Sequence, residues 1–405
     1  MEEEEGFLHV LRALRDAARR VEAGETRGAA LQALLALEAG ADDLLAGDPD
    51  LSALRRLLCR LRALSCSLDL CASGSLRARC GARRAVARVA SAVAGEIQAW
   101  VDREAIARLV AALSSHGRGG ARALLAELEA RLLSAGGRFD PRLQRALLRH
   151  GVLQALEARL GDPAVGDGCA AAVLALVRFN KDVFVGPVLM GPAVGALVAS
   201  ASGSGSPAPL RALNGLVDAI RSPLVDELHA RGELPRLVAL LCAPDPRARG
   251  PALGFALRVG YYGRKEVVDA LLAEGLVKRL LCLQRSDLGG SLADTDEGED
   301  EEGCPKAKPE DAKTGGFLLV PCLPLVYLWG RRQGDSAADA DADTEERPFV
   351  SAVARFAVQV EVGVGLSPRE KREAKLEILR RVREAAVSPA EEATVLAEVL
   401  WGATP

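Results

Sequence analysis

Apolar residues recur three and four positions apart along much of the chain, the pattern of helices that bury one face. Two clear runs are Leu54, Leu57, Leu58, Leu61 and Leu64, and Leu124, Leu125, Leu128 and Leu132. No stretch alternates apolar and polar residues with the period of two that a half-buried strand requires. The pattern therefore predicts an all-α protein.

The starts of the predicted helices share a signature, an Asp or Ser directly before a proline. These residues are Asp48, Asp140, Asp162, Ser222, Asp245, Ser367 and Ser388. The side chain can cap the exposed helix N–H groups, and proline suits the first helical position. Glu370 and Glu391 each stand three residues after such a serine, which predicts two complete capping boxes.

An internal repeat organises the middle of the chain. Gly151, Gly191, Gly232 and Gly275 each precede an amphipathic apolar run, and they are 40, 41 and 43 residues apart. About twenty residues after each of the first three glycines another apolar helix is predicted, at 170–179, 209–220 and 252–259. A helical repeat near 42 residues indicates an α-solenoid of armadillo or HEAT type.

The segments Leu213–Leu216 and Leu253–Leu257 resemble the core of the third helix of armadillo repeats. Each unit also resembles that repeat in order, with a short helix, a second helix opened by glycine, and a longer third helix. The resemblance covers roughly residues 140–286. It implies a right-handed α-solenoid, an alpha-alpha superhelix, preceded by an N-terminal helical domain.

The fourth unit is interrupted by acidic sequence. Residues 294–302 carry seven acids in nine positions, a composition that cannot bury a core and is expected to be disordered. A second acidic run, 335–346, follows a short apolar segment at 317–329. Helical spacing returns at 348–362, which we interpret as the delayed third helix of this repeat. Helices at 368–387 and 389–401 would then cap the array.

Four regions are predicted along the chain. They are an N-terminal helical domain or degenerate repeats at 1–139, armadillo repeats at 140–286, an acidic, largely disordered insertion at 287–347, and the last repeat helix with its caps at 348–405.

The C-terminal strings Phe356–Ser367 and Glu398–Gly402 are similar to the ends of plant armadillo-repeat proteins related to the U-box ubiquitin ligases. Nothing in residues 1–150 resembles a U-box, so the resemblance does not extend to ligase activity. It implies a plant protein of the cytoplasm or nucleus, with components of ubiquitin signalling among its possible partners.

The net charge of −3, from 52 basic and 55 acidic residues, excludes a globally basic nucleic-acid-binding protein. That total hides a strong asymmetry, because residues 287–316 and 335–347 carry −7 and −5. The rest of the chain carries +9. A basic helical body is thus combined with two acidic segments, and we expect no nucleic acid as a partner.

Sequence chemistry argues against catalysis and cofactors. No GxSxG, phosphate-loop or HExxH motif occurs in a suitable setting, the nine cysteines form no CxxC pair, and the four histidines are far apart. The most apolar run, Phe317–Trp329, is too short and too proline-rich to span a bilayer, and the start lacks the features of a signal peptide. We expect no enzyme activity, no cofactor, no metal and no transmembrane segment.

The resemblance to armadillo proteins places partner binding on a concave face lined by successive third helices. In relatives that bind extended peptides, an asparagine recurs on each third helix, whereas only Asn214 matches that pattern here, so an intact asparagine ladder is missing. The Tyr261–Tyr262 pair with Arg264 is the densest aromatic and basic cluster. The predicted partner-binding residues are Arg178, Asn180, Asn214, Asp218, Arg258, Tyr261, Tyr262 and Arg264.

Three functional hypotheses follow. The first is a non-catalytic scaffold that binds a protein segment along the concave face. The second is an adaptor or regulatory subunit in ubiquitin-linked signalling without its own U-box. The third, an enzyme with a pocket in the N-terminal helical region, rests only on that region being unclassified.

Overall fold

The computed structural model describes residues 2–23, 31–32, 34–36, 51–70, 76–115, 120–134, 140–203, 205–288 and 348–401. These residues are helical apart from short connections, and no strand occurs among them. The predicted all-α class is thereby confirmed. The chain forms two compact units, Met1–Arg159 and Leu160–Pro405.

The first unit contains helices α1 to α6. Their bounds are Glu2–Ala23 (α1), Ser52–Leu70 (α2), Leu76–Ser114 (α3), Ala121–Ser134 (α4), Pro141–Arg149 (α5) and Val152–Glu157 (α6). Helices α1 and α2 both pack on α3, which is 39 residues long. A helix of this length leaves no room for two more helices within a repeat of about 42 residues.

The core of the first unit is an aliphatic cluster in which Leu11, Leu14 and Ile97 are fully buried. Next to this core, the Arg131 guanidinium binds the buried Asp102 carboxylate through two nitrogens, with Nε–Oδ1 and Nη2–Oδ2 distances of 2.9 and 2.8 Å. Burial without a partner would be costly for either charge, so this bidentate pair joins α3 firmly to α4.

The second unit contains helices α7 to α18. Their bounds are Gly166–Phe179 (α7), Lys181–Met190 (α8), Ala193–Gly203 (α9), Ala208–Ile220 (α10), Ser222–Ala230 (α11), Leu234–Ala239 (α12), Pro246–Tyr262 (α13), Lys265–Ala273 (α14), Leu276–Leu288 (α15), Ala352–Val362 (α16), Pro368–Ala385 (α17) and Pro389–Trp401 (α18). Helices α8–α10, α11–α13 and α14–α16 are successive three-helix repeats. The third helices stack in sequence, with α7 against α10, α10 against α13 and α13 against α16.

The repeat glycines form the turn between the first and second helix of each repeat. Gly151, Gly232 and Gly275 have φ values of 62°, 69° and 78°, the left-handed conformation in which glycine avoids a Cβ clash. Gly191 has φ −87° and ψ −173° instead. It precedes Pro192, and the residue before a proline is forced towards extended backbone.

The fourth repeat closes across the acidic insertion. The Asp287 carboxylate accepts a hydrogen bond from the Phe349 N–H at 2.9 Å, and the Gln284 amide oxygen accepts one from the Val353 N–H at 3.3 Å. Its third helix begins at Ala352 rather than at Pro348, because 348–351 form a turn in which Ser351 has a φ of 53°. The delayed third helix is otherwise where it was predicted.

The predicted caps are formed only in part. Ser367 and Glu370 make a complete capping box. Ser388 accepts a hydrogen bond from the Glu391 N–H, but the Glu391 carboxylate is taken by Arg285 and by the Val387 N–H. The prediction of a complete capping box at Ser388 was therefore wrong, because only the bond from the Glu391 N–H to the Ser388 hydroxyl is formed. Helix α17 ends at Ala385, two residues earlier than predicted.

Residues 289–347, which hold all but the first two positions of the predicted acidic insertion and include the apolar segment 317–329, lie outside the described residues, as does Asp48. The four predicted domain boundaries stay predictions. None of the described helices is long and apolar enough to cross a membrane alone. Helices α8 and α9 meet that criterion only as a pair, and they are bent by 67°.

Close packing of the third helices yields the first testable prediction. A Cβ added at Gly260 would lie 2.8 Å from Phe356 Cε2, whereas one at Gly250, on the same helix, would have no atom within 4 Å. We expect Gly260→Ala to lower the free energy of unfolding by about 1–3 kcal/mol through overpacking. Gly250→Ala should raise it by about 0.5–1 kcal/mol through helix propensity. Urea unfolding followed by circular dichroism measures both, and a stabilised Gly260→Ala would contradict the close approach.

A second prediction concerns the ion pair that joins α15 to α18. Arg285 Nε and Nη2 lie 2.7 and 2.9 Å from the two Glu391 carboxylate oxygens. We expect Arg285→Ala to destabilise the protein by about 1–3 kcal/mol. The matched control is Arg369→Ala, whose side chain is 86% exposed and pairs with Glu373. It should change the free energy of unfolding by less than about 0.5 kcal/mol.

The pH dependence of this pair has a defined sign. The hydrogen bonds from Arg285 hold the pKa of Glu391 below its ordinary value of 4.5. The stabilisation is therefore complete above pH 4.5 and is lost as the pH falls through the lowered pKa. The difference between wild type and Arg285→Ala should shrink on acidification below pH 4.5, and a constant difference would contradict this role of the ion pair.

Candidate functional site

A groove of about 680 Å³ runs across the third helices of the second unit. Helices α10, α13 and α16 supply most of its wall, and Arg178 at the end of α7 contributes as well. The space is open partly because Gly250 and Gly254 stand where larger side chains would project into it. The groove therefore follows the face on which successive third helices lie side by side.

Six of the eight predicted partner-binding residues line this groove. They are Arg178, Asn214, Asp218, Arg258, Tyr261 and Tyr262. Their common position follows from the repeat, because Arg178, Asp218 and Arg258 are 40 residues apart and lie on three successive third helices. Their role in binding stays a prediction.

The structure places the other two residues outside the groove. The Asn180 side chain caps α8, where its Oδ1 accepts a hydrogen bond from the Asp182 N–H at 3.1 Å. Arg264 directly precedes α14, and its Nη2 lies 3.1 Å from Asp226 Oδ2. Both residues follow the end of a third helix, so the chain has already turned towards the next repeat.

Arg258 and Asp218 form an ion pair between neighbouring repeats. Arg258 Nε donates to Asp218 Oδ1 at 2.9 Å, and Arg258 Nη1 donates to the carbonyl of Gly254 at 2.9 Å. These bonds fix the guanidinium along the groove wall. The only acidic side chain among the residues that line the groove is thus already paired.

Asn214 is buried in the groove wall and only half satisfied. Its Nδ2 donates to the carbonyl of Pro251 on the next third helix at 2.9 Å. Its Oδ1 has no hydrogen-bond partner among the described residues, although the side chain is only 5% exposed. Unpaired buried acceptors are costly and uncommon, so Asn214 Oδ1 is a candidate acceptor for a ligand in the groove.

The two tyrosines pack against each other at the end of α13. Their ring centroids are 4.8 Å apart and the planes meet at 77°, an edge-to-face contact. Burial raises the pKa of the Tyr262 hydroxyl, and the Asp218 charge raises it further. The carbonyl of Tyr261 accepts a hydrogen bond from the Val364 N–H at 2.8 Å, which anchors the segment after α16.

Sequence reasoning missed several groove residues. Arg211, Asn214 and Asp218 fall at three-and-four spacing on one face of α10, and Arg221 continues that spacing directly after the end of the helix. This spacing is the signal in the sequence that identifies them. Phe349, Arg355 and Gln359 were missed as well. They lie after the acidic insertion, Phe349 in the turn before α16 and the other two on α16 itself.

Arg355 is the most constrained of the missed residues. Its Nη1 donates to the carbonyl of Pro348 at 2.8 Å, and burial lowers the pKa of its guanidinium. Gln359, one turn further along α16, is 5% exposed. No hydrogen bond to its side-chain amide occurs within the part of the chain that the structure describes.

A second cavity, of about 630 Å³, lies within the first unit. Its polar groups bind one another, because Arg15 and Arg19 donate to the Gln98 amide oxygen and Gln98 donates to Asp102. This closed network explains the polar residues without a ligand. Within the described ranges no cluster of His, Cys, Asp and Glu is able to hold a metal ion.

No protein-family profile matches the sequence, and no curated protein matches it. Among solved structures, a designed armadillo repeat protein is 14% identical, with a TM-score of 0.42, and covers 73% of this chain and 99% of its own. Two engineered proteins from a structural genomics consortium score 0.43 and 0.42 at 14% and 15% identity. The alignment with the first covers 73% of this chain and 95% of that protein. The alignment with the second covers 99% of this chain and 88% of that protein.

The fold class follows from the arrangement of the helices in this chain. Three-helix units with a glycine turn and stacked third helices make the second unit an all-α solenoid of armadillo-type repeats.

The half-satisfied Asn214 yields a testable prediction. Asn214→Leu removes the unpaired acceptor together with one hydrogen bond, so the free energy of unfolding should change by less than about 1 kcal/mol. Asn214→Asp places a second acceptor opposite the carbonyl of Pro251 and should cost about 1–3 kcal/mol at neutral pH.

The new Asp would have a raised folded-state pKa, so part of this loss should be recovered as the pH falls through that pKa. Chemical unfolding at two pH values measures both variants. A loss in Asn214→Leu as large as that in Asn214→Asp would show that Asn214 is structural.

Proposed function

We propose that this chain is a non-catalytic scaffold that binds a segment of a partner protein along the third-helix groove. The observation that carries the proposal is the continuous groove across successive repeats, with a half-satisfied amide at Asn214 in its wall. An extended peptide needs donors and acceptors along its length, and buried amides can provide both. No catalytic constellation among the described residues competes with this function.

The finer assignment is also a proposal. The similarity of Phe356–Ser367 and Glu398–Gly402 to plant relatives of the U-box ligases favours a plant adaptor of the cytoplasm or nucleus, acting in ubiquitin-linked signalling without ligase activity. Incubation of the purified chain with ubiquitin, activating enzyme and a panel of conjugating enzymes tests the last point. Ubiquitin chains made by this protein alone would contradict it.

Blocking the groove tests the scaffold function directly. Gly250 lines the groove, and a Cβ there meets no atom within 4 Å, so Gly250→Trp should fold while filling the space. Gly186 on α8 is the matched control, because its added Cβ also meets nothing and it lies outside the groove.

Peptides selected from a random display library on the wild-type chain provide the probes. We expect Gly250→Trp to weaken them by at least about tenfold, a loss of 1.4 kcal/mol, and Gly186→Trp to leave their affinity unchanged. Failure to select any peptide, or peptides that bind Gly250→Trp normally, would overturn the proposed function.

A further inference from the structure

The charge of the groove indicates what its occupant must carry. Its lining includes five arginines and a single acidic residue, Asp218, which Arg258 neutralises. The other four have no carboxylate within 4.0 Å among the residues that the structure describes. They are Arg178, Arg211, Arg221 and Arg355. The groove therefore carries four positive charges that no described carboxylate pairs, and it attracts anions.

The surroundings of Arg355 favour a bound anion. A guanidinium has five N–H donors, and the only hydrogen bond that the Arg355 guanidinium makes within the described residues goes from Nη1 to the Pro348 carbonyl. The side chain is half-buried, and desolvation lowers its pKa. A partly desolvated cation without a carboxylate partner is costly, and a bound carboxylate would offset that cost through a charge-assisted hydrogen bond.

Polar groups suited to a peptide backbone stand beside the arginines. Gln359 is one helical turn from Arg355, is 95% buried and lines the groove with an amide that makes no hydrogen bond to a described residue. Asn214 contributes its unpaired Oδ1 on the helix two repeats earlier. Cations and amides thus line the same groove.

The rest of the lining is apolar. Leu253, Leu257 and Phe349 contribute hydrophobic surface. The rings of Tyr261 and Tyr262 contact each other edge to face. Single-stranded nucleic acid favours rows of aromatic faces on which successive bases stack, which this lining does not offer. A lining that combines apolar and cationic groups instead fits a peptide that carries both acidic and apolar side chains.

We propose that the groove binds an extended acidic peptide segment of another protein, with its carboxylates paired to Arg355, Arg211 and Arg221 and its backbone bonded to Gln359 and Asn214. This assignment rests on the proposed scaffold function and names the chemistry of its partner. Three gaps between stacked helices span about 30 Å, which matches roughly ten extended residues.

The experiment uses the full chain and three fluorescent peptides of about ten residues. One alternates Glu with Leu and Phe, the second replaces every Glu by Gln, and the third replaces every Glu by Lys. Fluorescence anisotropy at about 50 and about 200 mM salt reports affinity and its electrostatic part. We expect the acidic peptide to bind at least about tenfold more tightly than the Gln peptide, and this advantage to shrink at high salt.

Variants connect the preference to the groove. Arg211→Gln changes an exposed side chain and should weaken the acidic peptide by about threefold or more, and Arg355→Gln by about tenfold. Neither should weaken the Gln peptide comparably. The control is Arg372→Gln, an exposed arginine on α17 outside the groove, which should have no effect. Unfolding curves verify that each variant is folded, and the Arg211 result stands even where Arg355→Gln is destabilised.

Several outcomes would overturn the assignment. Equal binding of the acidic and Gln peptides, or a preference for an oligouridine RNA over the acidic peptide, would remove it. Acidic binding that appears only after deletion of residues 290–315 would assign the groove to the chain's own acidic run. Self-association that Arg211→Gln abolishes would assign it to a second copy of the chain.

The two proposals fail in different ways. Display-selected neutral peptides that Gly250→Trp still blocks would leave the scaffold function intact and remove only the acidic partner. An absence of any groove-dependent peptide binding would remove both.

Discussion

The close approach of successive third helices is the constraint on which the binding surface depends. At Gly215 an added Cβ would lie 2.5 Å from Leu174 Cδ2, and at Gly260 one would lie 2.8 Å from Phe356 Cε2. Glycine lowers helix propensity, so its presence in two third helices is offset by the packing that it permits. This packing brings Arg178, Asp218 and Arg258 into one row, and the groove exists because the row is continuous.

The helical period and the 42-residue repeat predicted the described repeats and six of the groove residues, because both depend on local spacing. The third helix that carries Arg355 and Gln359 was predicted at 348–362, but the two residues were missed because residues 289–347 interrupt the repeat spacing that aligns positions on successive third helices. Asn180 was placed on the binding face because it follows a third helix directly. Its side chain instead caps the next helix, a local hydrogen bond that an Asn–Lys–Asp sequence favours.

The near-neutral net charge of the chain conceals how its charges are distributed. Many arginines of the second unit outside the groove have a carboxylate partner, as in Arg231 with Glu227 and Arg285 with Glu391. Such pairs stabilise individual repeats or join them. Four arginines in the groove wall have no such partner within the described residues, so this wall carries an excess of positive charge.

The central claim is that an acidic extended segment lies along the third helices of the second unit. The most direct measurement is photo-cross-linking with the acidic peptide carrying a benzophenone at each position in turn, followed by mass spectrometry of the adducts. We expect adducts at 208–221, 246–262 and 348–359, in the same order as the benzophenone positions along the peptide. Adducts concentrated on the first helices at 181–190 and 265–273, or in the first unit, would contradict it.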